Sequence, residues 1–299
     1  MRRLIKQTKS SSILISTFDE VILTNVFSTR NIGNYKVTAL SDGVMKASLS
    51  LLSGIEPEAA VNIQQQAGIK AADDIQINSY LIRGAGRIIL IDSGMGNLNH
   101  IGGELRRNLL LSGIMPDEVD TVLLTHAHPD HIGGLLGENG RPAYRNAALY
   151  ISKAEANFWL DNEKLTSLSE RALMNGSLFR RTFEAYSTVR FTEETAIAED
   201  ITAVSLPGHT PGHSGYLIDS RDEKLLIWGD ITHYPHIQIA HPQVSIAFDY
   251  DPDQAEQTRR AILERASREN LLIAGMHLGV SGFAYIRSPS EGHYFLEYV

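Results

Sequence analysis

The sequence predicts a mixed α/β chain in which sheets are covered by helices. Three observations carry that prediction. Short apolar runs recur in both halves of the chain, helical stretches stand between them at intervals, and no Pro/Gly/Ser-rich linker or internal repeat divides the 299 residues. A strand with one apolar face must bury it against another layer, and the helices supply that layer. A chain of this length can bury a large core, so one domain is the default, expected over residues 34–299.

The elements follow in order. Tyr35 to Leu40 reads as a strand that ends in a turn at Ser41-Asp42-Gly43. A helical stretch is expected near Pro57 to Gln66. Ile77 to Ile82 and Arg87 to Ile91 are strands joined by Gly84-Ala85-Gly86, a hairpin signal. Glu104 to Leu111 is an amphipathic helix, and Val119 to Thr125 is an apolar strand. Ala148 to Ile151 is a strand, and Ser152 is the expected N-cap of a helix from Lys153 to Leu160. Residues 163–187 read as one helix. Ile201 to Leu206, Gly215 to Ile218, Lys224 to Trp228 and Leu271 to Ala274 are strands. A helix from Asp251-Pro252 to about Arg268 carries proline at its first position.

Composition narrows the function classes. The formal net charge is −8, which argues against a nucleic-acid partner. No cysteine is present, so disulfides, thiolate ligands and cysteine nucleophiles are excluded and any metal site must use histidine and carboxylate. No apolar run is long enough to span a membrane. Residues 1–33 read as an N-terminal arm, basic at first and then broken by Asp19 and Glu20, without a secretory signal pattern. A cytoplasmic location and a homodimer, with the arm in its contacts, are the expectations.

The chemistry lies in Thr125-His126-Ala127-His128-Pro129-Asp130-His131. In extended backbone alternate side chains point the same way, so His126 and His128 can reach one point together. Pro129 then turns the chain, and Asp130 and His131 can face a neighbouring point. Gly133-Gly134 removes side-chain bulk behind them. Further candidates lie past the ends of other apolar strands: His209 in Pro207-Gly208-His209-Thr210, Asp230 in Gly229-Asp230, and His277 in Gly275-Met276-His277. A lone histidine is usually a core or surface residue; this many costly polar groups beside apolar strands need a reason. Imidazole nitrogen and carboxylate oxygen are zinc ligands. Two ions about 3.5–4 Å apart can share one hydroxide, and a carboxylate can bridge them.

At these residues the chain resembles the metallo-β-lactamase-fold superfamily, whose signature is HxHxDH. The resemblance runs from about Tyr35 to the C-terminus and implies an α+β, four-layer αββα sandwich with two divalent metal ions, zinc, at one edge. It implies that His126, His128 and His209 hold the first ion, that Asp130, His131 and His277 hold the second, and that Asp230 bridges. Asp92, in Ile91-Asp92-Ser93-Gly94, matches a position that supports the site. Asp230 stands where the familiar zinc β-lactamases have cysteine, which points to the hydrolase branch of lactonases, thioesterases, phosphotriesterases and nucleases. Ile151 to Trp159, Gly229 to His233 and Ala247 to Asp251 are similar to the methyl parathion hydrolase-like group and its acyl-homoserine lactonase relatives. Gly279-Val280-Ser281-Gly282 departs from that group's pattern.

The expected function is therefore hydrolysis of a small-molecule lactone or ester, with Asp130 catalytic. Phosphotriester hydrolysis is the rival within enzymes, and a binding module that kept the fold is the rival outside them. Trp159 is a pocket wall or core, and His233 is expected to line the site. His213 is expected to support rather than ligate. His100, His236, His241 and His293 have no spacing argument, and Tyr234 and Tyr285 are candidate donors to a leaving group.

Overall fold

The structure is a computed structural model that describes residues 27–193 and 195–299. The first half contains β1 (Thr29–Ile32), β2 (Tyr35–Lys46), β3 (Leu52–Ser53), α1 (Pro57–Gln66), β4 (Asp74–Gly84), β5 (Arg87–Ile91), α2 (Leu105–Leu111), β6 (Thr121–Leu123), α3 (Pro129–Ile132) and β7 (Ala148–Ile151). The chain continues through α4 (Lys153–Leu160), α5 (Asn162–Leu168), α6 (Glu170–Ala185), β8 (Val189–Phe191), β9 (Ile201–Ser205), β10 (Ser214–Ser220) and β11 (Glu223–Ile227). It closes with α7 (Pro235–Gln238), β12 (Ser245–Ile246), α8 (Pro252–Arg268), β13 (Leu272–Ala274), β14 (Phe283–Ser290) and β15 (His293–Tyr298).

One seven-stranded sheet has the order β1-β2-β4-β5-β6-β7-β8, a six-stranded sheet has the order β15-β14-β13-β11-β10-β9, and β12 pairs with β3. Alternation along the strands sorts residues between layers. Tyr80, Ile82, Ile89 and Ile91 of the first sheet meet Tyr216, Ile218, Leu225 and Ile227 of the second in the central core. Leu81, Leu90, Val122 and Leu149 face the other way, onto Leu105 and Leu109 of α2, Trp159 of α4 and Phe179 of α6. On the far side Leu226, Trp228 and Ile273 pack against Ile262, Leu263 and Ala266 of α8. The result is helix, sheet, sheet, helix: the αββα sandwich. Among the described residues no helix is long and apolar enough to cross a membrane.

Several expectations are corrected in detail. The arm read over residues 1–33 ends in structure: β1 pairs antiparallel with β2, with Ile32 opposite Tyr35, as the edge strand of the first sheet. Residues 1–26, and with them a dimer role for the arm, lie outside the described residues. The turn expected at Ser41-Asp42-Gly43 is instead a bulge within β2. It leaves Asp42 free to accept from the backbone N–H groups of Met95, Gly103 and Leu105, which fixes the loop after β5 and the start of α2. The helix expected over 163–187 breaks at Ser169, whose extended backbone (φ −169°, ψ 161°) caps α6 through its hydroxyl. Neither strand of the hairpin β14–β15 was expected; Pro289 lies within the first, and the polar tip around Glu291-Gly292 separates it from the second.

Candidate metal centre

The strand ends converge at one edge of the sandwich. Asp92 follows β5 and the His126–His131 cluster follows β6, two parallel neighbours. Asp230 follows β11 and His277 follows β13, parallel neighbours in the other sheet. His209 follows β9. Parallel strands bring their carboxyl ends to the same edge, which is where open α/β sheets place their ligands.

Two main groups of side chains form there, and a third, His209, Asp230 and His233, overlaps both. Ligand-type atoms of His126, His128 and His209 lie within 4.8 Å of one another, and so do those of Asp130, His131, Asp230 and His277. His128 Nδ1 is 3.0 Å from His126 Nε2 and 2.9 Å from His209 Nε2. Asp230 stands between the groups: its Oδ2 is 3.7 Å from His126 Nε2, 3.5 Å from His209 Nε2, 3.2 Å from His131 Nε2 and 3.1 Å from His277 Nε2. Asp130 Oδ2 is 3.4 Å from His131 Nε2 and 3.6 Å from His277 Nε2. The structure thus brings together every residue that the sequence reading put forward as a metal ligand.

Outer partners fix the imidazole tautomers. His131 donates from Nδ1 to Asp92 (2.7 Å), His209 from Nδ1 to Asp249 (2.9 Å), and His277 from Nδ1 to the Gln76 carbonyl (2.6 Å). Each Nε2 lone pair is thereby turned inward, the arrangement that metal-binding histidines show. Asp92 adopts a left-handed φ of 57°. There it also accepts from the backbone N–H and the hydroxyl of Thr125. Glycines admit the loops: a Cβ at Gly229 would lie 2.3 Å from His213 Nε2, and one at Gly134 would lie 2.1 Å from the Ser93 carbonyl oxygen.

The donor set fits cations. His131 Nε2 and Asp230 Oδ1 are buried and have no hydrogen-bond partner. Burial costs such atoms several bonds' worth of hydration unless something else binds them. Burial alone would push His131 down, but Asp230, Asp130 and Asp92 around it hold it well above the usual histidine value. The pocket therefore favours positive charge at that point. His126 and His128 go the other way, lowered by burial and then by neighbouring imidazoles, so they stay neutral with lone pairs available. The His/Asp clusters fit a metal site.

The supporting expectations divide. His213 is structural: its Nδ1 donates to the Leu206 carbonyl (2.8 Å) and its Nε2 accepts from the Asp230 N–H (2.9 Å). His233 reaches the site, with Nε2 3.3 Å from Asp230 Oδ2 and its ring stacked on His277. Trp159 is both core and wall. It packs in the helical layer, and it lines a cavity of about 350 Å³ together with His128, Phe158, Phe248 and Tyr250. Tyr234 donates to the Ala47 carbonyl inside a separate cluster, and Tyr285 packs against the central core. Neither is built into the site.

Two supports escaped the sequence reading. Glu155, fully buried, accepts from the Ala127 N–H (2.9 Å), Trp159 Nε1 (2.6 Å), the Thr210 hydroxyl (2.6 Å) and the Gly212 N–H (3.1 Å), tying the His126–His128 loop to the His209 loop. Its four-residue spacing to Trp159 on a helix was the available signal. Asp249, which orients His209 and lies 3.6 Å from the Arg259 guanidinium, had none.

Comparison with known proteins agrees with this arrangement. A ribonuclease of Thermus thermophilus, TTHA0252, is 45% identical over 65 residues, 22% of this chain and 14% of that enzyme, so the chain spans a small part of this relative's length. A crystal structure described as hydrolase AbOPH in the beta lactamase superfamily superposes with a TM-score of 0.84 at 27% identity, covering 91% of this chain and 97% of the other. The fold is also that of AidC, described as a dizinc quorum-quenching lactonase, with a TM-score of 0.83, 24% identity and coverage of 91% and 97%. The family model of the metallo-beta-lactamase superfamily matches residues 72–277, from just before β4 through His277. This chain belongs to the metallo-beta-lactamase superfamily.

Proposed function

We propose that the chain is a dinuclear-metal hydrolase that opens a lactone or cleaves an ester, with zinc as its ion. The single observation that carries the reading is the position of Asp230, whose one carboxylate oxygen lies within 3.7 Å of imidazole nitrogens from both groups. His126, His128 and His209 would hold one ion, Asp130, His131 and His277 the other, and Asp230 both. Two such ions supply Lewis acidity toward a carbonyl and a water ionised near neutral pH.

The chain's own residues do the rest. Asp130 is the carboxylate of the cluster with partial solvent contact, 9% exposed against 2% for Asp230. It accepts the proton of the attacking water and returns it to the alkoxide as the acyl–oxygen bond breaks, so the products are the acid and the alcohol. Asp92, Asp249 and the Gln76 carbonyl keep the imidazoles aligned throughout. Phe158, Trp159, Phe248 and Tyr250 exclude water from one side and give an apolar acyl arm its surface. The likeness to AidC is one of fold, so the choice of a carbon ester rests on this cavity.

The test is kcat/KM on acyl-homoserine lactones of varied chain length, aryl esters and an organophosphate triester, with metal analysis and a chelator control. Lactone or ester turnover that a chelator abolishes is expected. A strong preference for the triester overturns the ranking, and metal-replete protein inactive on all three substrates points to a binding module.

A further inference from the structure

The cavity beside His128 is walled in part by aromatic rings, and two cations rest on those rings. Its lining includes Phe158, Trp159, Leu168 and Phe248, and Arg171. Arg171, at the start of α6, lies with its guanidinium carbon 4.8 Å over the Phe248 ring. Lys164 of α5 holds its ammonium over two other lining rings, 5.2 Å from Phe158 and 5.5 Å from Tyr250. Neither cation pairs with a carboxylate among the described residues, although the chain carries a net charge of −8. The one carboxylate in the lining, Asp249, is engaged by His209 and Arg259. By contrast the arginines of α8 with exposed side chains, Arg260 and Arg268, both find glutamates one turn away.

Cations resting on aromatic faces are held in place but keep their outward hydrogen-bond donors free. Here two of them lie over rings of one cavity, one from each of two successive helices that are separated at Ser169. An apolar arm lying along Phe158 and Trp159 from the site at His128 would bring its far end to them.

We propose that the cavity selects a substrate whose acyl arm ends in a carboxylate, held by Arg171 and Lys164. This deepens the hydrolase reading and rests on it: the site would act on an ester or lactone of an ω-carboxy acid, releasing the dicarboxylate and the alcohol. The Arg171 fork suits a carboxylate in two-point contact, and Lys164 adds a second charge.

The experiment compares p-nitrophenyl hexanoate with mono-p-nitrophenyl adipate, which share a six-carbon acyl chain and differ in the terminal carboxylate. With metal-loaded protein at low salt, kcat/KM should favour the adipate ester by about tenfold, a size reasonable for partly exposed charge pairs acting together. The preference should shrink as salt is raised and collapse toward unity in Arg171→Gln, with Lys164→Gln intermediate. Equal rates on the two esters, or a preference that Arg171→Gln leaves intact, overturns the proposal. A second readout does not depend on turnover. Trp159 fluorescence should report tighter binding of adipic acid monoanilide than of hexananilide in the wild type, and no difference in Arg171→Gln. Hydrolysis of neither ester together with that binding difference would discard the hydrolase reading and keep the anion-selective cavity; turnover without charge preference would do the reverse.

Discussion

Replacing Glu155 with glutamine tests how the two ligand-bearing loops are held. The carboxylate receives four donors, two on each oxygen: the Ala127 N–H and Trp159 Nε1 on one, the Thr210 hydroxyl and the Gly212 N–H on the other. Burial pushes this carboxyl up, and the four donors, led by Thr210 and Trp159, hold it down against that. Glutamine keeps the shape and removes the buried charge, but its NH2 must face one pair of donors. Facing Ala127 and Trp159 it would meet two N–H groups, neither of which can accept. Facing Thr210 and Gly212 it meets a hydroxyl that can turn and one N–H that cannot. The second arrangement is the cheaper, and it leaves one buried donor unpaired at about 1–3 kcal/mol. Relief of the buried charge roughly offsets the weakening of the remaining bonds, so Glu155→Gln should destabilise the metal-free protein by about 2 kcal/mol. Glu155→Ala strands all four donors and should cost more than about 4 kcal/mol. Because Ala127 lies between His126 and His128, and Gly212 lies three residues after His209, the same loosening should raise the metal dissociation constant about 10- to 100-fold. Urea titration of the metal-free protein and competition with a chromophoric chelator measure the two effects. A glutamine variant within about 0.5 kcal/mol of the wild type, and with unchanged metal affinity, would refute the assignment of Glu155 as the tie between the loops.

Other outcomes follow from the same geometry. Asp130→Ala should lower kcat by about 10²- to 10⁴-fold, read by steady-state kinetics with metal content measured alongside; near-normal turnover at full metal content removes Asp130 from proton transfer. Asp92→Asn places an amide against His131 Nδ1 and should weaken metal binding about 10- to 100-fold, seen by the same chelator competition. Stripping the metal should lower the melting temperature, and zinc at about 100 times its dissociation constant should restore about 2.7 kcal/mol for each ion bound; a melting curve indifferent to zinc would contradict the site. The pH response of the metal-free protein depends on His213, which burial lowers to about 3 from its ordinary 6.5. An unfolded chain takes up a proton that the folded one refuses, so the contribution is complete above pH 6.5 and is lost as pH falls toward 3, about 2 kcal/mol of it by pH 5. Unfolding free energies at pH 7 and pH 5 should therefore converge between wild type and His213→Asn, whereas parallel curves would refute the shift.

What the sequence revealed depended on how local each feature is. His126, His128, Asp130 and His131 stand in one run of six residues after an apolar strand, and a run of that kind declares itself. His209, Asp230 and His277 were legible because each follows its own apolar strand, and parallel strands must end at a common edge. Ser152 and Pro252 marked helix starts because capping is a contact between near neighbours. Glu155 reads from sequence as the acidic residue of an N-terminal helical turn, which is where glutamate commonly sits. That its side chain turns inward is decided by Thr210 and Gly212, more than fifty positions along. Asp42 was read as part of a turn for the same reason: its donors come from a loop that follows a different strand. Buried carboxylates that organise loops are specified mainly by tertiary partners, and the only local hint here was the four-residue spacing of Glu155 to Trp159.

The ligand set and the specificity surface come from different parts of the fold. Every candidate ligand follows a strand, and the two sheets share one core, so the geometry of the ligands is inherited from the stiffest part of the molecule. The cavity wall instead comes from α4, α5, α6 and the segment Ala247–Tyr250 between the two-stranded pairing and α8. A carboxylate bridging two groups of imidazoles serves attack at carbon or phosphorus equally, because both need an ionised water and a stabilised leaving oxygen. Substrate choice must then reside in the wall. Phe158, Phe248 and Arg171 can change without disturbing a single strand end. Substitutions there should move KM and the order of preferred substrates while metal affinity stays fixed, and substitutions at Glu155, Asp92 or Asp249 should do the opposite. Glu155 joins the two sets, since one of its oxygens takes both the Ala127 N–H of the ligand loop and the Trp159 indole of the wall. Through that shared oxygen the position of the indole beside His128 is tied to the position of the imidazole itself, with 5.7 Å between the ring centres.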